Sequence, residues 1–335
     1  MCRIKMKNKK LIVFDMDGVL IDASRSYRET VRQTARLFFS IAPSSEKLPD
    51  PLFPLADLAA VKQRGGLNND WDLSCLVINL LFNQIEKPPV YRSKDPWAQY
   101  EETVSQCHVG ALGDFLRSTA KPLTAMLQKA GKTKNAFIYG LYSGDVGSGN
   151  IIKQIFQEVY LGKDLFESTY GQPPKFYQYD GLIHREALLI DKGLLDELAA
   201  EHVLAIATGR PRAEADYPLA HFGIRKYFTR VMALEDCLEK EKQVLKAEGR
   251  KVSLSKPHPY MLDALAAETQ NRIAEYVYIG DMPDDILAAA NSRFEFQSIG
   301  AVVSAPDKAA LKTELQQAGA NYIIEDFNAI KEIIL

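Results

Sequence analysis

Short apolar runs that end abruptly in polar residues recur along this chain and predict buried strands. They lie at residues 11–14, 203–207, 276–279, 298–303 and 322–324. Continuous apolar runs of this length are typical of strands that are covered on both faces. Helical periodicity predicts helices between the later runs, near 212–222, 257–270 and 307–318. Strands that alternate with helices predict an α/β fold with a doubly wound, Rossmann-like parallel sheet.

A long, mainly helical stretch separates the first predicted strand from the others. Its apolar positions recur at helical spacing in four separate segments. The first runs from about 23 to 39, the second ends at about 62, and the others run from 73 to 85 and from 148 to 160. The part from 98 to 145 is harder to interpret, and Ala136 to Tyr142 is a candidate strand. We therefore predict a core domain formed by residues 1–21 and 188–335, with an inserted helical cap domain formed by residues 22–187.

Charge and cysteine usage narrow the class of protein. With 41 basic and 43 acidic side chains, the formal charge of -2 provides no general attraction to nucleic acid or to an anionic membrane. The apolar stretch near 73–82 is too short to span a bilayer. The 4 cysteines are scattered without metal-type spacing, which is typical of the reducing cytoplasm. We expect a cytoplasmic protein that binds neither nucleic acid nor membranes.

Polar residues collect where the predicted strands and helices begin or end. The residues at these positions are Asp15, Asp17, Thr208, Lys256 and Asp281. In an open parallel sheet, ligands bind beyond the carboxyl ends of the strands. Gly18 permits the sharp turn that directs the first two acids into one crevice. We expect these residues, which are far apart in sequence, to meet at one site.

These residue types suit the transfer of a phosphoryl group. A carboxylate such as Asp15 can attack phosphorus and carry the group covalently, which divides one difficult step into two. Asp17 can donate a proton to the leaving oxygen and later accept one from water. Lys256 supplies positive charge to the phosphoryl oxygens. Thr208 binds the same oxygens together with the main-chain N–H groups that follow it, beginning with Gly209.

Two carboxylates alone would repel a phosphate, and this predicts a hard cation at the site. Mg²⁺ prefers oxygen ligands and keeps several waters. Asp15, Asp281 and a main-chain carbonyl near Asp17 provide such oxygens. Asp285, one helical turn beyond Asp281, can orient a ligand or a metal-bound water. Mg²⁺ is therefore the expected cofactor, with these four aspartates as its binding residues.

Each of these residues also has a purely structural interpretation when it is considered alone. Lys256 precedes a proline and is then a loop lysine, while Thr208 is a helix cap. Asp281 and Asp285 are then an acidic helix N-terminus favoured by the helix dipole. The order and placement of all the groups together favour the catalytic interpretation.

The same residues make the chain resemble the haloacid dehalogenase superfamily of Mg²⁺-dependent phosphotransferases. The four motifs appear in order, as Asp15-Met-Asp17-Gly-Val, Thr208-Gly-Arg, Lys256-Pro and Gly280-Asp281-Met-Pro-Asp284-Asp285. The insertion after the first motif and the form of the last two are similar to subfamily IA. The resemblance implies an aspartyl phosphate on Asp15 and an acid/base role for Asp17. Dehalogenases of the superfamily lack an acid at that second position, because their leaving groups need no proton donor.

Two features depart from that pattern. The cap is longer than is usual in subfamily IA, and the role of its segment from about 87 to 145 is open. The sequence Thr208-Gly209-Arg210 replaces the more usual Thr-Asn of the subfamily. The Arg210 guanidinium can either read a substrate group or pair with an acid of the site, and the sequence does not distinguish these roles.

The cap of this family closes over the site and reads the leaving group, which makes polar cap residues candidates for specificity. The loop at 64–72 is one candidate, with Gly66 and Asn69 as substrate-binding residues, and a plain helix-to-helix turn is its alternative. Arg25 begins the first cap helix and is another candidate, although an exposed helix face explains it equally well. The predicted substrate-binding set also includes Gly18, Gly209 and Arg210.

Together these features predict an enzyme, a Mg²⁺-dependent phosphatase that hydrolyses a small phosphorylated metabolite. A phosphomutase of the sugar-phosphate type is the alternative, because it shares the motifs and differs in the acceptor of the phosphoryl group. A binding or regulatory module on the same scaffold is a more distant alternative. The sequence leaves the substrate and the oligomeric state open.

Overall fold

The protein divides into two compact units. The computed structural model describes residues 9–65, 69–130, 133–269 and 273–334. The core unit comprises Met1–Ala23 and Glu186–Leu335, and the inserted unit comprises Ser24–Arg185. The chain therefore leaves the core unit soon after its first strand and returns to it at Glu186.

The core unit contains the strands of the described residues, and most of these strands form one parallel sheet. In the described part of the chain they are β1 (Lys10–Phe14), β2 (Ile21–Asp22), β3 (Ala187–Leu188), β4 (Val203–Ala207), β5 (Phe228–Met232), β6 (Glu275–Gly280), β7 (Gln297–Ala301) and β8 (Tyr322–Ile324). Six of them lie in the order β5-β4-β1-β6-β7-β8, and every neighbouring pair is parallel. Strands β2 and β3 form a short antiparallel pair. The predicted doubly wound α/β core is confirmed.

Strand β1 is buried on both faces, which explains its uninterrupted apolar sequence. Ile12 and Phe14 pack in one hydrophobic cluster, and Leu11 and Val13 pack in another. Successive side chains of a strand point to opposite faces, so these clusters cover the two faces of the sheet.

The register of the central strands brings their ends together. Phe14, the last residue of β1, lies opposite Ile206 of β4 and Ile279 of β6. The residues that follow these three strands therefore emerge at the same edge of the sheet, which is where ligands bind in this class of fold. Asp15, Thr208 and Asp281, which directly follow β1, β4 and β6, reach this edge through the register of the main chain.

The inserted unit is mainly helical. Its helices are α1 (Tyr27–Phe38), α2 (Leu55–Gly65), α3 (Asp70–Phe82), α4 (Pro96–Val104), α5 (Gly110–Ser118), α6 (Pro122–Ala130), α7 (Ala136–Gly140) and α8 (Ile151–Tyr170). Helix α1 packs against α3 and α8. Tyr27 at the start of α1 stacks on Tyr160 of α8, with 4.5 Å between the ring centroids. Helices α4 to α7 occupy most of the enlarged segment.

The remaining helices belong to the core unit. They are α9 (Lys192–Glu201), α10 (Arg212–His221), α11 (Leu234–Glu248), α12 (Tyr260–Thr269), α13 (Pro283–Ala290), α14 (Lys308–Gln317) and α15 (Ala329–Ile334). Helix α10 follows β4, and α13 follows β6, so each begins close to a predicted site residue. No helix in the described ranges is both long and apolar enough to cross a membrane.

Several elements differ from the sequence predictions. Ala136–Gly140 forms helix α7 instead of the candidate strand, because the Asn135 side chain accepts a hydrogen bond from Phe137 N and caps the first turn. Strand β5 was not predicted, because the exposed Thr229 and Arg230 interrupt its apolar sequence. Helix α8 continues well past its predicted end, with a break at Gly162, where φ is 74°.

Candidate active site

Asp15 lies directly beyond β1 and is held at both its main chain and its side chain. Its main-chain N–H donates to Ile279 O at 2.8 Å, which continues the pairing with β6. Its carboxylate Oδ1 accepts a hydrogen bond from Lys256 Nζ at 2.7 Å. Only 5% of the residue surface is exposed. The predicted nucleophile is therefore buried, fixed and next to a cation.

Lys256 is held between two carboxylates and a phenol. Besides Asp15, its Nζ donates to Asp285 Oδ1 at 2.6 Å and to Tyr278 Oη at 3.1 Å. Tyr278 Oη donates to the same Asp285 oxygen at 2.8 Å. Burial alone would lower the pKa of Lys256, but the charges of Asp15 and Asp285 outweigh it and raise this pKa well above its usual value. Lys256 thus stays a cation at any physiological pH.

Asp15, Asp281 and Asp285 form an acidic cluster at the sheet edge. One carboxylate oxygen of each lies within 4.8 Å of those of the others. Burial raises the pKa of Asp15 to about 7; Lys256 opposes this rise, and Asp285 and Asp17 add to it. Burial and then the charge of Asp15 raise the pKa of Asp281 well above its usual value. Acids that oppose one another's ionisation in this way are stabilised by a bound cation.

The donor set fits a hard divalent cation. The cluster offers only oxygen donors, which are the ligands that Mg²⁺ prefers. The loop after β1 is shaped to approach these donors closely. Gly18 has a φ of +70°, and a Cβ there would lie 2.0 Å from Asp281 Oδ2, so only glycine permits this approach.

Asp17 is held by Arg210 and stands apart from the acidic cluster. Among the described residues, the acids grouped closely enough to share a cation are those of the cluster, without the Asp17 carboxylate. Arg210 Nη2 and Nε lie 2.5 and 3.1 Å from Asp17 Oδ1. The Asp17 side chain is nevertheless 38% exposed. This carboxylate is therefore oriented by the protein and also accessible.

Arg210 is itself buried and paired with a second acid, Glu186. Nη1 and Nη2 lie 3.0 and 3.1 Å from the two carboxylate oxygens of Glu186, and both side chains are 1% exposed. Arg210 Nη1 also donates to Glu214 O at 3.2 Å. Of the two roles considered for Arg210, this geometry favours pairing with an acid.

Thr208 and Gly209 form the turn that follows β4. Thr208 N donates to Met232 O at 3.0 Å, and Thr208 Oγ1 accepts a hydrogen bond from Arg210 N at 3.1 Å. The N-cap of α10 is Pro211, so Thr208 does not cap that helix. Gly209 is exposed, and a Cβ there would meet no atom within 4 Å. The turn therefore leaves open space beside its main chain.

The other predicted residues belong to the inserted unit. Arg25 is exposed ahead of α1. Asn69 is the N-cap of α3 and accepts a hydrogen bond from Asp72 N at 2.7 Å. Gly66 lies outside the described residues. The substrate-binding roles of these three residues stay predictions, and Asn69 has a structural task in addition.

Sequence reasoning missed Glu186 and Tyr278. The apolar pattern of β6 predicts only that Tyr278 is a core residue. The position of its hydroxyl-bearing side chain, two residues before Gly280-Asp281, is nevertheless a signal in the sequence that this residue lies near the site. Glu186 has no comparable signal, because only the tertiary structure brings it to Arg210.

Part of the core unit matches a known family. The sequence model of the family described as haloacid dehalogenase-like hydrolase matches residues 190–299. This range contains the second, third and fourth motifs, including Thr208, Lys256 and Asp281. Residues 190–299 are thus similar to the family of hydrolases that the sequence motifs indicated.

Two solved structures share the fold over most of the chain. A target of the Northeast Structural Genomics Consortium is 21% identical, with a TM-score of 0.66 and 98% of each chain covered. A phosphatase from Thermococcus thioreducens is also 21% identical, with a TM-score of 0.51, and covers 91% of this chain and 99% of its own. These likenesses establish the fold of the two-unit chain.

One curated relative matches nearly the whole chain. A protein of Phytophthora nicotianae named imidazoleglycerol-phosphate dehydratase is 24% identical over 323 residues, which are 93% of this chain and 49% of that protein. The chain thus spans about half the length of this relative.

Proposed function

We propose that this protein is a Mg²⁺-dependent phosphatase that hydrolyses a small phosphorylated metabolite through an aspartyl phosphate. The observation that carries the proposal is the setting of Asp15. It is a buried carboxylate at a strand end, bound to Lys256 and within 4.8 Å of two further acids. This arrangement combines a nucleophile, a fixed positive charge and a cation site in one place.

In the first step, a carboxylate oxygen of Asp15 attacks the phosphorus atom, and the bond from phosphorus to the leaving oxygen breaks. The carboxyl group of Asp17 gives its proton to that oxygen, so a neutral alcohol leaves. Lys256 and the turn at Thr208 bind the phosphoryl oxygens as their charge is redistributed. The phosphoryl group is then carried as an aspartyl phosphate.

In the second step, water attacks the phosphorus atom of the aspartyl phosphate. Asp17, which is now ionised, accepts a proton from this water. The bond between phosphorus and the Asp15 oxygen breaks, which restores the Asp15 carboxylate and releases inorganic phosphate. Asp17 ends the cycle protonated, ready for the next leaving group.

The residues that would hold Mg²⁺ are Asp15, Asp281, Asp285 and the main-chain carbonyl of Asp17. When bound, Mg²⁺ would neutralise the acidic cluster and the charge of the phosphate. The acids of the site outnumber Lys256 and Arg210, and such an excess of negative charge repels a phosphate dianion.

In this proposal, the inserted unit selects the substrate by binding its leaving group. Arg25, Gly66 and Asn69 are the candidate contacts. The near-neutral charge supports a free metabolite as substrate in place of nucleic acid or a membrane lipid. Cys75, Cys107 and Cys237 are free and buried, which supports a place in the reducing cytoplasm.

A panel of phosphate esters tests this function by release of inorganic phosphate. The panel comprises sugar phosphates, phosphoglycolate-like acids, nucleotides and amino-alcohol phosphates such as histidinol phosphate. The name of the Phytophthora nicotianae relative supports the inclusion of imidazole-bearing esters. We expect release from at least one class with Mg²⁺ and none after chelation by EDTA. Full activity in EDTA, or no release from any ester, would contradict the proposal.

The same panel separates the phosphatase from the alternative phosphomutase. A phosphomutase hands the phosphoryl group to a second hydroxyl instead of to water. With a bisphosphorylated sugar added, it produces an isomer of the sugar phosphate. We expect inorganic phosphate as the product.

A further inference from the structure

We infer that Arg210 and Glu186 are positioning residues that hold the Asp17 carboxylate in the orientation needed for proton transfer. The inference rests on the proposed phosphatase function and deepens it. It also explains the departure from the usual Thr-Asn motif, because the arginine that follows Thr208-Gly209 then acts on Asp17 and not on the substrate.

All the hydrogen-bond donors of Arg210 already have acceptors within the protein. A guanidinium group has five N–H donors. Nε donates to Asp17, while Nη2 donates to Asp17 and to Glu186. Nη1 donates to Glu186 and to Glu214 O. A substrate group has no donor left to bind unless one of these buried contacts breaks.

Glu186 fixes the position of Arg210. Two parallel N–H to carboxylate contacts define the plane and the direction of the guanidinium, which a single contact cannot do. Glu186 directly precedes β3, and Ala187 in β3 lies opposite Asp22 in β2. Leu189 N also donates to Leu20 O at 2.9 Å. The pair is therefore anchored where the chain leaves and re-enters the core unit.

Asp17 is partly exposed and needs a partner that holds its side chain in one orientation. An aspartate at a loop exchanges between rotamers unless a partner holds it, and proton transfer requires a short and aligned path. Arg210 contacts Asp17 from the buried side and leaves the other side accessible. Asp17 can then meet the leaving oxygen and, in the second step, a water molecule from the same orientation.

This role predicts a loss that depends on the leaving group. An alkoxide must be protonated as it leaves, whereas dinitrophenolate leaves without a proton. A defect in positioning Asp17 should therefore slow the first step with an alkyl phosphate and spare it with dinitrophenyl phosphate. A defect in folding or in phosphate binding should slow both equally.

Arg210→Lys tests this in the full-length protein, because lysine keeps the charge but loses the two-pronged contact. We expect kcat for the best alkyl phosphate to fall by about 10²-fold, with KM nearly unchanged. In rapid-mixing experiments, we expect the rate of the dinitrophenolate burst to change by less than about threefold. Glu186→Gln should show the same pattern with a smaller loss, because it keeps the shape but weakens the anchor.

Arg212→Lys is the matched control. Arg212 lies two residues further along the same segment, but it pairs with Asp236 and donates to Val231 O at 2.8 Å. We expect both reactions to proceed at the wild-type rate in this variant.

Equal losses with the two leaving groups, or no loss with either, would overturn the inference. If Arg210→Lys does not fold, the ratio measured for Glu186→Gln decides the question. The proposed function is judged separately, by phosphate release from the wild type and its disappearance in Asp15→Asn. Uniform losses in the Arg210 variant would leave that function intact, whereas an inactive wild type would overturn both.

Discussion

The buried acids of the two units differ in what satisfies their charge. In the inserted unit, Asp57 accepts hydrogen bonds from Leu123 N at 2.7 Å, Thr124 N at 3.2 Å and Thr124 Oγ1 at 2.5 Å. Glu158 accepts from the main-chain N–H groups of residues 176 and 177, at 2.6 and 3.2 Å. These carboxylates tie loops and helix ends together, so their charge contributes to the fold.

The acids of the core site are arranged differently. Asp15, Asp281 and Asp285 lie beside one another, with Lys256 as the cation that contacts two of them. Burial and neighbouring acids raise the pKa of Asp15 to about 7 against the attraction of Lys256. Buried carboxylates that accept hydrogen bonds from main-chain N–H groups thus stabilise the fold. Buried carboxylates that raise one another's pKa are typical of a ligand-binding or catalytic site.

The largest expected effect is the loss of activity in Asp15→Asn. Replacement of the nucleophile should lower kcat by about 10⁴-fold or more, because the covalent step is lost. The fold should persist, since asparagine has the same shape and removes one charge from the acidic cluster. Phosphate release and circular dichroism measure the two outcomes. Wild-type turnover in this variant would show that Asp15 is not the nucleophile.

The next effect is a dependence of stability on pH and Mg²⁺. The pKa of Asp15 in the folded protein, about 7, exceeds the ordinary aspartate value of 3.8. The stability that Asp15 contributes is therefore full below the lower value and is lost as the pH rises through about 7. Each unit of pKa difference corresponds to about 1.4 kcal/mol. The metal-free protein should therefore be less stable at about pH 8 than at about pH 5, and Mg²⁺ should stabilise it mainly at the higher pH.

Thermal unfolding with and without Mg²⁺ measures this dependence. Asp281→Asn is the matched variant, because it removes one acid of the cluster and one proposed metal ligand. It should weaken both the pH dependence and the stabilisation by Mg²⁺. An unchanged response to Mg²⁺ in this variant would place the metal elsewhere.

The smallest expected effect on activity is that of Asp57→Asn in the inserted unit. Asp15→Asn should lose activity and keep its fold, whereas Asp57→Asn should lose stability and keep its activity. The amide cannot accept all three hydrogen bonds, so the free energy of unfolding should fall by about 1–3 kcal/mol. The kcat of the folded variant should stay within about threefold of the wild type, because Asp57 serves the fold. Urea unfolding and phosphate release measure these values. A folded but inactive Asp57→Asn would remove the distinction between the two units.

Elements with a strong local pattern were the ones that sequence reasoning could predict. Strands β1, β4 and β6 have uninterrupted apolar runs, because both faces of the sheet are covered. Strand β5 lies at the sheet edge and includes exposed residues, so its pattern is weak. Helix α7 is a single short helix whose start depends on the Asn135 cap more than on periodicity. Such elements depend on context that a short window of sequence does not contain.

The amino-acid sequence alone identifies the residues of the proposed phosphoryl-transfer site. Phosphoryl transfer needs particular groups, and Asp15, Asp17, Thr208, Lys256 and Asp281 can be recognised where strands and helices begin or end. Their meeting at one edge follows from the order of parallel strands, which the alternating pattern predicts only in outline.

The pairing of charges in the site depends on the folded chain. Arg210 binds Asp17 across 193 positions of sequence, and Glu186 reaches Arg210 from the segment where the chain re-enters the core unit. The same arginine at the same position would suit a substrate contact equally well if Glu186 were elsewhere. The role of a charged side chain depends on which partners share its buried surroundings, and that is a property of the folded chain.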